Sequence, residues 1–156
     1  MKKILALCLC MISLGLMGCS PIVSDNAGSG DYATQNRVSA IEYSIFMNKQ
    51  VTVFTTQLTS HLSLIASSGT NYENLITVTE ESIAVMEAAL DEVIVTYPPI
   101  SYEDDRETTI TVMKTTIEHM KSYLQDMKEE KGTGGYIDIF QSDYFALTAQ
   151  ASLYYQ

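Results

Sequence analysis

The feature that most restricts what this chain can fold into is the spacing of its apolar side chains. Four stretches carry an apolar residue at every third or fourth position, which lays those residues along one stripe of an α-helix. The second stretch keeps the spacing without a slip through Tyr72, Ile76, Thr79, Ile83, Met86, Leu90, Val93 and Tyr97. The third does so through Ile110, Met113, Ile117, Met120, Leu124 and Met127, and the fourth through Ile137, Phe140, Tyr144, Leu147, Ala151 and Tyr154. The first is less regular. Ala40, Met47, Val51, Phe54, Leu58 and Ile65 fit, while Ser44 and His61 fall on the stripe as polar members, with Leu62 replacing His61 if the stripe drifts. Serines and threonines between positions 52 and 63 are mediocre helix formers, so tertiary packing must supply what propensity does not. A β-rich fold lacks the sustained alternation and hairpin turns it would need.

Boundary signals predict helices over about 37–68, 71–97, 101–131 and 136–156. Thr70 with Glu73 reads as a capping box ahead of the second helix, and Pro98-Pro99 ends it. Ser101 offers an N-cap for the third, with Glu103, Asp104 and Asp105 in the first turn, where the helix dipole favours negative charge. Lys128 and Lys131 complement its far end, and Gly132-Thr133-Gly134-Gly135 is the expected stop. Short connections make sequential helices antiparallel, so the expected fold class is all-α, an up-down-up-down four-helix bundle over 37–156. About 120 residues suffice for one hydrophobic core and not for two. A helical hairpin or three-helix bundle, its first or last helix packed on another molecule, is the alternative.

Ahead of the helices, Met1-Lys2-Lys3 precedes an apolar run from Ile4 to Met17, broken only by Ser13 and Gly15. A charged start followed by a run too short for a permanent span is the pattern of an export signal. Its ending, Leu16-Met17-Gly18-Cys19, resembles the lipobox of bacterial lipoproteins, a resemblance confined to roughly the first twenty residues. The resemblance implies that 1–18 is a signal peptide cut between Gly18 and Cys19, and that the Cys19 thiol carries diacylglycerol. The mature chain is then expected on the extracytoplasmic side of the cell membrane or outer membrane. An ordinary secretory signal with an incidental Cys19, or an uncleaved anchor, is the competing reading. Stable anchoring needs more than a single acyl chain, which a diacylated cysteine supplies. Residues 19–36 are rich in turn formers and read as a flexible tether, whose roughly 17 residues reach about 20–25 Å.

The inventory of reactive groups is short. Cys8 and Cys10 leave with the signal and Cys19 is consumed by lipid, so no thiol remains for disulfides, metals or catalysis. Losing Lys2 and Lys3 moves the net charge from −10 to −12, which disfavours nucleic acid and anionic headgroups as partners. His119 reads as an exposed polar residue with no carboxylate at ligand spacing, and His61 as a core histidine held by a Tyr or Ser hydroxyl. Neither has the Glu three residues before it that a di-iron bundle requires, and covalent haem lacks its Cys-x-x-Cys-His. The methionine stripe, including Met113 and Met120, fills a core in its plain reading and lines a groove in its functional one. Tyrosines crowd the last helix, among them Tyr144 and Tyr154, and buried tyrosines want hydrogen-bond partners.

Charge is uneven: residues 71–97 carry six acidic and no basic side chains, whereas 37–68 total +1. This helix faces either water or a cationic partner. Ile41, Ile45, Phe46, Val53 and Leu64 in the first helix, and Ile139, Phe145, Leu153 and Tyr155 in the last, lie off their stripes. They pack these two helices together or form an exposed interaction patch. No nucleophile has an identifiable base, the glycine-rich loop lacks the Walker ending, and Asp104-Asp105 are explained by helix capping. No catalytic residue, metal or cofactor is expected, apart from the covalent lipid on Cys19.

The expected function is therefore a lipid-anchored, non-enzymatic interaction or structural module, with an envelope or surface protein or a second copy of the chain as partner. The alternative is a small-ligand binder or sensor whose pocket draws on His61, Tyr144, Tyr154, Met113 and Met120.

Overall fold

The computed structural model describes residues 38–67 and 72–155. Gly18, Cys19, the expected signal peptide and tether, and the expected Thr70 cap lie outside them. Four helices fill the described chain: α1 (Ala40–Ser67), α2 (Tyr72–Val95), α3 (Glu103–Lys128) and α4 (Tyr136–Leu153), with a 3-10 turn, Ile100–Tyr102, between α2 and α3. Each helix packs on two others, α1 on α2 and α4, and α3 on α2 and α4, which closes an all-α four-helix bundle. Among the described residues there is no strand, and no helix is long and apolar enough to cross a membrane.

The core follows the predicted stripes with a small rotation. Met47, Val51, Phe54, Leu58, Met86, Met113, Met120, Phe140 and Leu147 are buried, and Tyr43, Tyr102 and Tyr123 join them. Ala40 is exposed, and Ile110, Leu124 and Tyr144 are only partly buried. In their place the rotation turns inward Gln50, Ser82, Thr109, Thr116 and Asp143. A bundle helix presents a face wider than a two-position seam, so residues beside the stripe are covered as well. His61 is fully buried while Leu62 is only partly so, which places the histidine in the seam.

Helix ends depart from expectation in instructive ways. A capping box starts α1: the Ser39 backbone N–H donates to Glu42 Oε2 (3.1 Å) and the Glu42 N–H donates to Ser39 Oγ (3.3 Å). Helix α2 stops at Val95, two residues short of the predicted end, because the residue before a proline is pushed out of the helical region; Tyr97 is half exposed instead of extending the stripe. Ser101 does not cap α3. Tyr102 occupies the N-cap position without a side-chain bond, its ring buried, while Ser101 faces solvent. The stop of α3 is not its glycines but Glu130, at φ 55°. The Lys131 N–H donates to the Asp126 carbonyl (2.8 Å) and the Glu130 N–H to that of Met127 (3.2 Å), the bonding of a Schellman motif.

Candidate functional site

Two polar networks and one surface feature stand out. Around His61, a backbone carbonyl can only accept, so Nδ1 bears the ring proton and donates to Gln57 O at 3.1 Å. Nε2 then faces the Thr79 hydroxyl at 3.1 Å, which also lies 2.7 Å from Leu75 O. The rings of Tyr123 and Phe140 stand edge-on to the imidazole at 6.5 Å. Burial pushes the His61 pKa below its ordinary value, partly opposed by the Gln57 bond, so the ring is held neutral. One turn on, Ser82 donates to Gln57 Oε1 at 2.8 Å, a second polar tie between α1 and α2.

The other network lies at the end of the bundle where α1 begins. The rings of Tyr43, Tyr102 and Tyr154 cluster there, with centroids 5.6–6.1 Å apart. The Tyr154 hydroxyl is 2.9 Å from Thr109 Oγ1, which donates to Asp105 O at 2.8 Å. Asn48 Nδ2 donates to the Tyr154 carbonyl at 3.2 Å, and the Ser44 hydroxyl donates to the same oxygen. Burial pushes the Tyr43 and Tyr154 phenols upward, so they stay protonated and are unsuited to act as bases. The Tyr43 hydroxyl is buried with no hydrogen-bond partner among the described residues.

Of the residues singled out in the sequence, His61, Met113, Met120 and Tyr154 each expose 0 % of their surface, and Tyr144 is partly buried against Phe145. The fold distributes them along the seam, with Tyr154 at one end and His61 nearer the other. No protein-family model, curated protein or solved structure matches the chain. What the arrangement can do is therefore read from its own geometry.

That geometry includes a pair that residue spacing along the chain could not reveal. His119 is not isolated: its Nδ1 lies 2.8 Å from the nearly buried Asp143 carboxylate, which α4 brings alongside α3. Asp143 sits beside Tyr144 on the stripe of α4, and the rotation of that helix decides which of the two turns inward. The acidic helix likewise meets cations within the bundle, since Lys121 pairs with Glu87 at 2.6 Å and Lys128 with Glu80 at 2.7 Å. Arg106 spans from α3 to the carbonyls of Val93 and Ile94, placing a cation at the C-terminus of α2, whose own last turn has none. Among the described residues no group of three or more His, Cys, Asp or Glu is placed to hold a metal ion.

The off-stripe apolar residues divide by position. Phe46, Val53, Leu64 and Ile139 pack against the core, whereas Ile41, Ile45, Phe145, Leu153 and Tyr155 stand exposed.

Proposed function

We propose that the chain is a non-enzymatic interaction module, held on the extracytoplasmic side of a membrane by diacylglycerol on Cys19, where it contacts an envelope or surface protein. The observation that carries this reading is the division of side chains between core and surface. His61, Met113, Met120 and Tyr154 are wholly consumed by packing, while large apolar side chains stand in solvent. A bundle whose seam is filled by its own side chains offers surface rather than an interior cleft. A ligand pocket built on those four residues would require the helices to part.

The test is crosslinking in native membranes, with mass-spectrometric identification of whatever the tagged chain captures and Cys19→Ser as the control. Reproducible capture of one envelope protein, lost in the Cys19→Ser form, supports the reading. Self-crosslinks alone make the partner a second copy, and no capture removes the protein partner. A Cys19→Ser form that remains in the membrane fraction like the natural chain overturns the lipid anchor. Thermal stabilisation by a small molecule would favour the ligand-binding alternative.

A further inference from the structure

At the end of the bundle where α1 starts, the start of α3 and the ends of α2 and α4 also meet. Ser44 and Asn48 hold the Tyr154 carbonyl there, and Arg106 holds the last carbonyls of α2. Among the described residues, eight of the ten large apolar side chains that stand exposed lie on this end, from 39 % exposure at Leu153 to 77 % at Ile100. The other two, Val85 and Phe145, sit at the middles of α2 and α4. We infer that this apolar collar seats the bundle end-on in the headgroup layer of the bilayer that carries its own anchor. The inference rests on the lipid-anchored reading above, adds the orientation of the domain, and leaves the flanks of the bundle, where Val85 and Phe145 stand exposed, for the protein contact.

Three observations favour a bilayer over a protein as the occupant. The collar is contributed by three helices and the 3-10 turn, through Ile41 and Ile45, Val95, Ile100, Leu153 and Tyr155. A planar surface approaching along the bundle axis reaches all of these, whereas a partner helix lying in one groove reaches a single flank. The chain also enters the bundle at this end, through Val38, which packs against the core. Cys19 lies 19 residues upstream of it. The anchor is therefore joined to this end of the bundle, since a helix of 28 residues places the opposite end about 42 Å away. Confinement of that kind lets weak contacts act at high effective concentration.

Finally, the collar mixes aliphatic side chains with Tyr97 and Tyr155, and tyrosine is enriched at membrane–water interfaces. The exposed carboxylates of Glu42, Glu103 and Asp104 at the same end set the depth and the lipid. Charge opposes entry into hydrocarbon and disfavours anionic headgroups, which leaves the headgroup layer of a zwitterionic membrane.

The chain contains no tryptophan, so one introduced residue is a unique reporter. Ile45→Trp, Ile100→Trp and, as control, Phe145→Trp are produced in the full chain and reconstituted into phosphatidylcholine vesicles with brominated acyl chains. Severalfold stronger quenching at 45 and 100 than at 145, reduced when phosphatidylglycerol replaces part of the phosphatidylcholine, is the expected result. Equal quenching at the three positions, or none, overturns the seating, and circular dichroism identifies any variant that has lost its fold. The mass of the Cys19 peptide reports the anchor separately. If Cys19 carries no lipid, the anchored reading fails, and the same comparison on the unlipidated chain with excess vesicles still decides whether this end binds a bilayer.

Discussion

Two tyrosine hydroxyls at the same end of the bundle have opposite energetic signs. That of Tyr154 meets Thr109, whereas that of Tyr43 is buried without a partner among the described residues. Removing a hydrogen-bonded hydroxyl costs about 1 kcal/mol, while removing a buried unsatisfied one relieves a desolvation penalty. Tyr154→Phe is therefore expected to lower the free energy of unfolding by about 1 kcal/mol in urea titration, and Tyr43→Phe to leave it unchanged or raise it. His61 makes a prediction in pH. Its folded-state pKa lies below the ordinary 6.5, so as pH falls below that value the unfolded chain binds a proton that the native state resists. This contribution to stability is complete above pH 6.5 and is lost as pH falls toward the folded pKa. His61→Leu should flatten that part of the stability–pH curve, although the leucine loses the Thr79 and Gln57 contacts and lowers stability at neutral pH. An unchanged pH slope would mean that His61 titrates normally in the fold.

Helices as elements were legible because each is long enough to repeat its apolar spacing several times. Their ends were less so. The Ser39–Glu42 capping box is a local signal visible in the sequence, yet the apolar stripe obscured it by placing the start of α1 near position 37. The stop of α3 could not be inferred from residue type, since the glycines that follow it are the usual occupants of the left-handed position and Glu130 holds that position instead. Glu130→Gly is expected to stabilise the protein by about 1 kcal/mol, because glycine adopts positive φ without the steric cost borne by a side chain. Gly134→Ala should be nearly neutral, for a Cβ there meets nothing within 4 Å. Reversal of that order in thermal melts would place the turn elsewhere. Arg106→Ala should fray the last turn of α2, seen as faster amide exchange near Val93 and Ile94, because their carbonyls lose the guanidinium.

For the molecule as a whole, the excess of carboxylates acts over distances that individual ion pairs do not. The Lys121–Glu87 and Lys128–Glu80 pairs are about half exposed, and exposed pairs contribute about 0.2–1 kcal/mol. The surplus negative charge repels itself across the whole surface, and salt screens it. Raising the salt concentration of a non-denaturing electrolyte should thus increase the melting temperature; a decrease would show that the interhelical pairs outweigh the repulsion. The acidic character of α2 illustrates the difference in scale. From the sequence it is a helix with six acids and no base, whereas in the bundle α3 supplies cations to two of those acids and to the helix end.

Periodicity alone determined that the described residues form four helices and no strand, because a stripe recurring at helical spacing has only one regular conformation in which it can be buried. The identity of most of the core followed from the same stripes. Only the tertiary structure decided the rotation of each helix, and with it the inward turn of Asp143 beside Tyr144, the pairing of His119 across to α4, and the gathering of exposed apolar residues at one end. Spacing along a chain reports which residues share a face; which faces meet, and which ends stay uncovered, depends on contacts between segments far apart in sequence.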